Sequence, residues 1–346
     1  MSALPISARL LLSYLLVAAL PLGGLAAFYL ASFETSLRET VLDNMSTIAD
    51  KKAEQIDSHV RERLEDAQQF SHRALIRDAI AALGQTFRTA GLHAPAYRMA
   101  ADRLRDTLKR TDAIDDFYDL LLMDTDGNVV FSVMQEPDLG TNLKHGPYRD
   151  TQLAKGFERA MRTRQTDLSR FALYAPSHNR PAAFLVAPVL KNGVAIGALA
   201  LQLDVDKLGA VTADRTGLGR TGETVLAQKE GGDVFYTAPL RHVRNAAYRY
   251  RVPFGNAALP MQKALAGERG RGIIRDYAGI EGVAAWRYLP ALGWGMVVKI
   301  DTDEALAPAA ELRRATALAL ALFLLLSGIV AFFLGRGLSR PIRHLT

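Results

Sequence analysis

Residues 316–335 read TALALALFLLLSGIVAFFLG, 20 consecutive residues without a charge. At 1.5 Å per residue a helix of this length covers roughly 30 Å, the thickness of a bilayer's hydrocarbon core. Arg336, Arg340, Arg343 and His344 follow at once, around Pro341. Basic residues against one end of an apolar run mark that end as cytoplasmic, so the segment is expected to be a membrane span whose far side faces out. A buried helix of a soluble protein rarely stays wholly apolar for so long.

A second apolar run occupies residues 10–31, after Arg9, with Pro21, Gly23 and Gly24 inside it. A cleaved signal peptide competes for this segment, since Ala26-Ala27 offers small-residue cleavage chemistry. Its apolar region would usually be only about 7–15 residues, so an uncleaved anchor is favoured. Two crossings leave residues 1–9 and 336–346 in the cytoplasm and place 32–315 outside, in the periplasm of a Gram-negative cell. Basic residues in that segment are no objection, because long loops translocate largely regardless of charge.

Composition narrows the function classes. The net charge of +6 is mild and spread among 36 acids, with no dense Lys/Arg block of the kind that binds nucleic acid. No cysteine is present, which removes disulfides, thiol nucleophiles and thiolate metal sites. The seven histidines have no metal-ligand spacing. No metal or cofactor is expected. Two motif-like stretches are decoys. Gly231-Gly232-Asp233-Val234-Phe235 is one letter from a diguanylate cyclase signature, but it lies outside the membrane and reads as a tight strand turn. Gly217-x-Gly219-x-x-Gly222 follows a helix and precedes a strand, the reverse of a dinucleotide fingerprint.

Between the apolar ends the periodicity changes twice. Residues 33–83 lack proline and glycine, and Leu37, Val41, Met45, Ile48, Ile56, Val60, Leu64, Ala67 and Phe70 recur mostly three or four apart. This predicts one long amphipathic helix, interrupted near Lys52, lying against a domain or a second copy of itself. A further helix is expected over 96–109. From Asp116 the pattern becomes strand-like: 117–123 and 129–133 around an Asp-Gly-Asn turn, a helix over 148–163, then strands 169–175, 182–190 and 194–203, the last two joined by Asn192-Gly193. A second unit repeats this order: helix 205–216, a hairpin 223–237, helix 256–266, and strands 272–277, 283–289 and 294–300. The fold class expected is α+β, with small antiparallel sheets.

Four blocks carry a resemblance: LLLMDTDGNVVF at 120–131, APVLKNGVAIGALALQLDVDKL at 187–208, TGLGRTGE at 216–223 and LGWGMVVKI at 292–300. Their order and spacing resemble the double-Cache sensor domain of bacterial chemoreceptors, sensor histidine kinases and cyclic-dinucleotide enzymes. GRGLSRPIRHL at 335–345 is similar to the opening of a HAMP linker. The resemblance implies a long stalk helix and connecting helix (32–115) carrying a membrane-distal PAS-like lobe (116–204) and a membrane-proximal one (205–302). An exit helix (303–315) would lead into the second span. It also implies a homodimer, a small-molecule ligand in the distal lobe, and a cytoplasmic output domain beyond Thr346, with no enzyme in this chain.

One branch of that family binds α-amino acids through Arg-x-Trp-Tyr, Tyr-x-Asp and a further Asp. Here the first is missing, the second reads Tyr174-Ala175-Pro176, and the last position falls on Gln202. An ammonium group in a pocket needs a carboxylate, so an anionic or neutral ligand is expected. Arg170, Tyr174, His178, Arg180, Phe184 and Gln202 are the candidate ligand contacts: a bidentate fork, directed hydrogen bonds and a flat apolar wall. Tyr174 and Phe184 can equally be core, and the basic residues solvated. A membrane-tethered extracytoplasmic enzyme and a module that senses a periplasmic binding protein stay open as alternatives.

Overall fold

A computed structural model describes residues 6–110, 114–255 and 259–342. It begins with α1 (Ile6–His72), a 67-residue helix with Pro21 inside it. The predicted apolar stripe is its inner face: Leu42, Met45, Ala49, Ile56, Val60, Ala67 and Phe70 are all buried. The expected interruption at Lys52 is absent. Lys52 continues the buried stripe because its ammonium reaches two backbone carbonyls, Val211 at 2.7 Å and Asp214 at 2.8 Å. The outward face from Glu34 to Gln69 is polar, with Arg38, Asn44, Thr47, Lys51, Gln55, Ser58 and Glu62 exposed.

The helix ends at His72, short of the expected 83. Arg73 turns the chain while its guanidinium lies 4.1 Å from the Phe70 ring centroid. The glycine expected to break the helix, Gly84, sits inside α2 (Ala74–Ala90). After Gly91 comes α3 (Pro95–Arg110), pinned where Tyr97 Oη donates to the Val130 carbonyl at 2.8 Å.

The first lobe follows: β1 (Phe117–Asp124), β2 (Val129–Ser132), α4 (Gln152–Thr163), β3 (Asp167–Leu168), β4 (Ala172–Tyr174), β5 (Arg180–Ala182), β6 (Phe184–Lys191) and β7 (Val194–Leu203). Five strands form an antiparallel sheet in the order β2-β1-β7-β6-β3, and β4 pairs with β5 beside it. The strand expected over 169–175 is therefore split between β3 and β4. Asn192 and Gly193 both take positive φ (53° and 78°), the tight hairpin geometry that matches strand twist. One sheet face (Leu120, Leu122, Leu185, Ala187, Leu199, Leu201) packs on the α1–α2 side. The other (Leu121, Met123, Val186, Ala198, Ala200) packs on Leu153 and Phe157 of α4.

A connecting helix, α5 (Val205–Ala213), leads to the second lobe: β8 (Glu223–Glu230), β9 (Asp233–Tyr236), β10 (Arg251–Pro253), α6 (Leu259–Leu265), β11 (Gly270–Arg275), β12 (Glu281–Leu289) and β13 (Trp294–Asp301). Its six strands run β10-β9-β8-β13-β12-β11, so β10 adds an edge that the sequence pattern did not announce. Gly231 (φ 60°) makes the β8–β9 turn tight, as expected of that stretch. Arg287 on β12 is the clamp to α1. Its Nε donates to Asp50, Nη2 to the Ser46 carbonyl (3.1 Å) and hydroxyl (2.6 Å), and Nη1 to the Gly270 and Trp286 carbonyls.

The chain closes with α7 (Thr302–Ala305) and α8 (Ala307–Ile342). Among the described residues one helix is long and apolar enough to cross a membrane, Ala307–Phe333, with Leu318, Leu322, Phe323 and Phe333 exposed. At the start of α1, Val17, Leu20, Leu25 and Phe28 are exposed as well. Residues 336–342 continue α8, whereas Arg343 and His344 lie outside the described residues.

Candidate functional site

On the α4 face of the first sheet, three strands set a polar row into an otherwise apolar layer. Asp119 on β1 pairs in register with Gln202 on β7, which pairs with Phe184 on β6. All three are buried. Above this row lies the connection between β2 and α4, which contributes Glu136 and Asp138, and the β4–β5 arm, which contributes Tyr174 and Ser177. Tyr174 Oη donates to Asp138 Oδ2 at 2.6 Å. Ser177 Oγ donates to Glu136 Oε2 at 2.6 Å and accepts from Gln202 Nε2 at 3.1 Å. Tyr118 Oη donates to the other Glu136 oxygen at 2.8 Å.

The three carboxylates differ in kind. Asp119 accepts from the Leu120, Val133 and Met134 amides and from Ser132 Oγ, so it fastens the end of β2. Burial nevertheless pushes its pKa up to about 7, ahead of the opposing hydrogen bonds. Asp138 is wholly buried, and its Oδ1 has no hydrogen-bond partner among the described residues. Burial first, and then the charge of Glu136, raise Asp138 above the ordinary carboxylate range, against the bond from Tyr174. Tyr174 is itself pushed up by burial and by Asp138. Its ring meets Phe184 edge-on (centroids 4.9 Å apart) and lies 6.4 Å from Tyr148.

Of the six sequence candidates, Tyr174, Phe184 and Gln202 come together in this cluster. Arg180 stands at its rim, over the Tyr118 ring at 5.3 Å, and borders with Gln202 a slot of about 10 Å³, room for one water. Arg170 and His178 are exposed. Sequence reasoning missed Asp119, Glu136, Asp138 and Ser177. No lysine or arginine among the described residues hydrogen-bonds any of the three acids.

The second lobe has its own buried charge cluster. Lys299 is 1% exposed and pairs with Asp276, flanked by Glu223 and Asp301. Asp276 also accepts from the Ala278 and Ile280 amides, and Tyr277 donates to Glu223. Each acid there is bound, and the arrangement fixes the β11–β12 connection to the sheet.

A Cache-domain family model matches residues 33–309, four-fifths of the chain. The chain belongs to the Cache-domain family. This Cache domain is similar in fold to the sensor domain of the Vibrio cholerae histidine kinase DctB (TM-score 0.52, 14% identity, 76% of this chain and 98% of that one). It is also similar to the sensory domain of the Campylobacter jejuni chemoreceptor Tlp3 (0.51, 14%, 79% and 98%). At such identity the likeness is one of fold. No curated protein sequence matches this Cache domain.

Two contacts join its lobes and its ends. Phe171, between β3 and β4, leaves the first lobe and packs on Trp294 (centroids 4.9 Å) and Tyr248 (6.4 Å) of the second, where Gln228 Nε2 donates to its carbonyl. Glu304 on α7 accepts from the Arg220 and Thr221 amides at 2.8 and 2.7 Å, which ties the 217–222 loop to the start of the exit segment. The Thr221 side chain first, and then those amides, hold the Glu304 pKa down to about 2.

Proposed function

We propose that the chain is the sensing and transmembrane part of a bacterial receptor: a small molecule binds the first lobe, and the signal leaves through the second span. The reading places residues 10–31 and 316–335 in the inner membrane, 32–315 outside as the membrane-distal (116–204) and membrane-proximal (205–302) lobes, and both termini in the cytoplasm. Residues 336–346 would open a HAMP linker to an output domain such as a kinase, cyclase or chemoreceptor signalling region.

The observation that supports transmission is an unbroken mechanical route. Tyr174 of the candidate site lies on β4, three residues after Phe171, which packs on Trp294 at the head of β13. That strand runs directly into α7 and α8. A ligand that repositions β4 thus acts on the strand feeding the exit helix. It can bias two states only by its differential affinity for them, typically about 1–3 kcal/mol. In a homodimer the stalk's apolar stripe is already covered by its own lobes, so the second copy would be held mainly by the spans.

Cysteine pairs placed in 10–31 and 316–335 test the reading, since the chain has no cysteine of its own. A metabolite that raises the melting temperature of the full chain in nanodiscs should change the disulfide pattern of those pairs. Identical patterns with and without it would refute transmission.

A further inference from the structure

We infer that the protein has a further binding site, apart from the polar cluster on the α4 face: the cleft between the end of the stalk helix and the first lobe, which takes a small monocarboxylate with an apolar body. β3 pairs with β6 only at Asp167–Val186 and Leu168–Leu185. Beyond those pairs the β6 edge loses its neighbour, and the chain leaving α4 stands off from the sheet. The last turns of α1 close the other side. The space between them has a volume of about 370 Å³, against about 10 Å³ for the slot beside Gln202. Small-molecule sites occupy roughly 300–1,000 Å³, so this cleft admits a ligand without rearrangement.

Its lining is divided by chemistry. Leu64 of α1 with Pro188 and Leu190 of β6 supplies an apolar surface. Gln68 and His72 follow Leu64 at successive turns of the same helix face, and Arg164 and Gln165 enter from the turn after α4. Arg164 selects the ligand. Its backbone is left-handed (φ 57°, ψ 31°), where a helix usually ends on glycine, and the turn carries this side chain out of α4 into the cleft wall. Arg159, earlier on α4, is held by Asp167 at 2.7 Å, whereas Arg164 has no carboxylate partner among the described residues. A guanidinium offers a carboxylate two parallel N–H groups, and the Gln68 and Gln165 amides and the His72 ring can donate to its remaining lone pairs. Glu65, exposed at the rim, sets one acid against two basic side chains. One carboxylate is thus favoured and a second is opposed. A cation would meet Arg164, and a wholly apolar molecule would leave the guanidinium without a partner.

The test titrates the full chain in zwitterionic nanodiscs by calorimetry, with phenylacetate and hexanoate as probes. Cationic phenethylamine, neutral benzyl alcohol and inorganic phosphate serve as comparisons. At least one monocarboxylate should bind, and each comparison compound at least roughly tenfold more weakly. Arg164→Met should weaken that binding roughly tenfold or more, the loss expected for a hydrogen bond to a charged group. Gln68→Trp, at an exposed position of α1, fills the cleft and should abolish binding. Arg162→Met removes the same charge from an exposed position of α4 outside the cleft and should bind as the parent does. Circular dichroism establishes that the variants are folded; if Arg164→Met is not, Gln68→Trp carries the comparison. The inference is overturned if neither monocarboxylate binds at millimolar concentration, or if any comparison compound binds as tightly. It is also overturned if folded Arg164→Met or Gln68→Trp binds unchanged, or if Arg162→Met loses as much as Arg164→Met. No residue of the cleft belongs to the α4-face cluster, so its failure would leave the sensor reading standing.

Discussion

Replacing Phe171 with alanine tests whether the two lobes act as one mechanical unit. The ring is 2% exposed and is the first lobe's aromatic plug in the second. Truncating a buried phenylalanine costs about 3–5 kcal/mol, the sum of lost transfer energy and the cavity left behind. The edge contact with Trp294 accounts for about 0.5–1.5 kcal/mol of that beyond area burial. With about 2–4 °C per kcal/mol for a domain of this size, F171A should melt roughly 6–20 °C below the parent. The decisive assay is a double-mutant cycle with Trp294→Ala, read by chemical denaturation followed with circular dichroism. Residues in contact couple, so the double variant should lose about 1 kcal/mol less than the sum of the single ones. Strict additivity, or an F171A loss below about 1 kcal/mol, would show that the lobes do not feel each other through this ring and would remove the proposed route.

Three further outcomes follow from the same geometry. Arg287→Met should destabilise the fold by about 1–3 kcal/mol in denaturation, because Ser46 and the Gly270 and Trp286 carbonyls lose their donor and the stalk is freed from β12, while Asp50 keeps its pairing with Arg269; a loss near zero would mean the clamp is decorative. Asp119 has a folded pKa near 7 against an ordinary 3.8, so the folded state keeps a proton that the unfolded chain releases. Stability should therefore fall by up to about 4 kcal/mol as pH rises from about 4 to about 7, and Asp119→Asn should flatten that profile; a profile unchanged by the substitution contradicts the assignment. Glu304→Gln weakens the grip on the 217–222 loop, so hydrogen exchange at the Arg220 and Thr221 amides should speed up roughly tenfold. Because the Glu304 pKa is lowered, that grip is present above its ordinary value of 4.5 and is lost as pH falls toward 2; equal exchange rates in both proteins would exclude the latch.

The sequence pattern carried the stalk and the strand order because both are periodic. It failed where tertiary partners decide. Lys52 interrupts an apolar stripe on paper, yet two carbonyls at the end of α5 make a buried lysine tolerable. Phe171 reads as part of a strand, but its ring is drawn into the other lobe, and the strand divides around it. The site acids were hidden for two different reasons. Asp138 sits among Pro137 and Gly140, where aspartate normally signals a solvated turn, and nothing local announces that the loop folds back over the sheet. Asp119 did leave a signal: a single charge within the apolar strand FYDLLLM, which a half-buried face should not hold unless it is bonded. Phe184 and Gln202 share a face because β6 and β7 pair in register, whereas Tyr174 reaches them from the separate β4–β5 ribbon, which no strand pattern announced.

Everything in the sensor reading depends on where the water-soluble lobes reside, and single cysteines in this cysteine-free chain can locate them. Gln55→Cys, on the exposed face of α1, should react with a membrane-impermeant maleimide in intact spheroplasts, whereas Ser2→Cys and Thr346→Cys should react only after the cells are opened. Labelling of either terminus from outside, or protection of position 55 until lysis, would contradict the account.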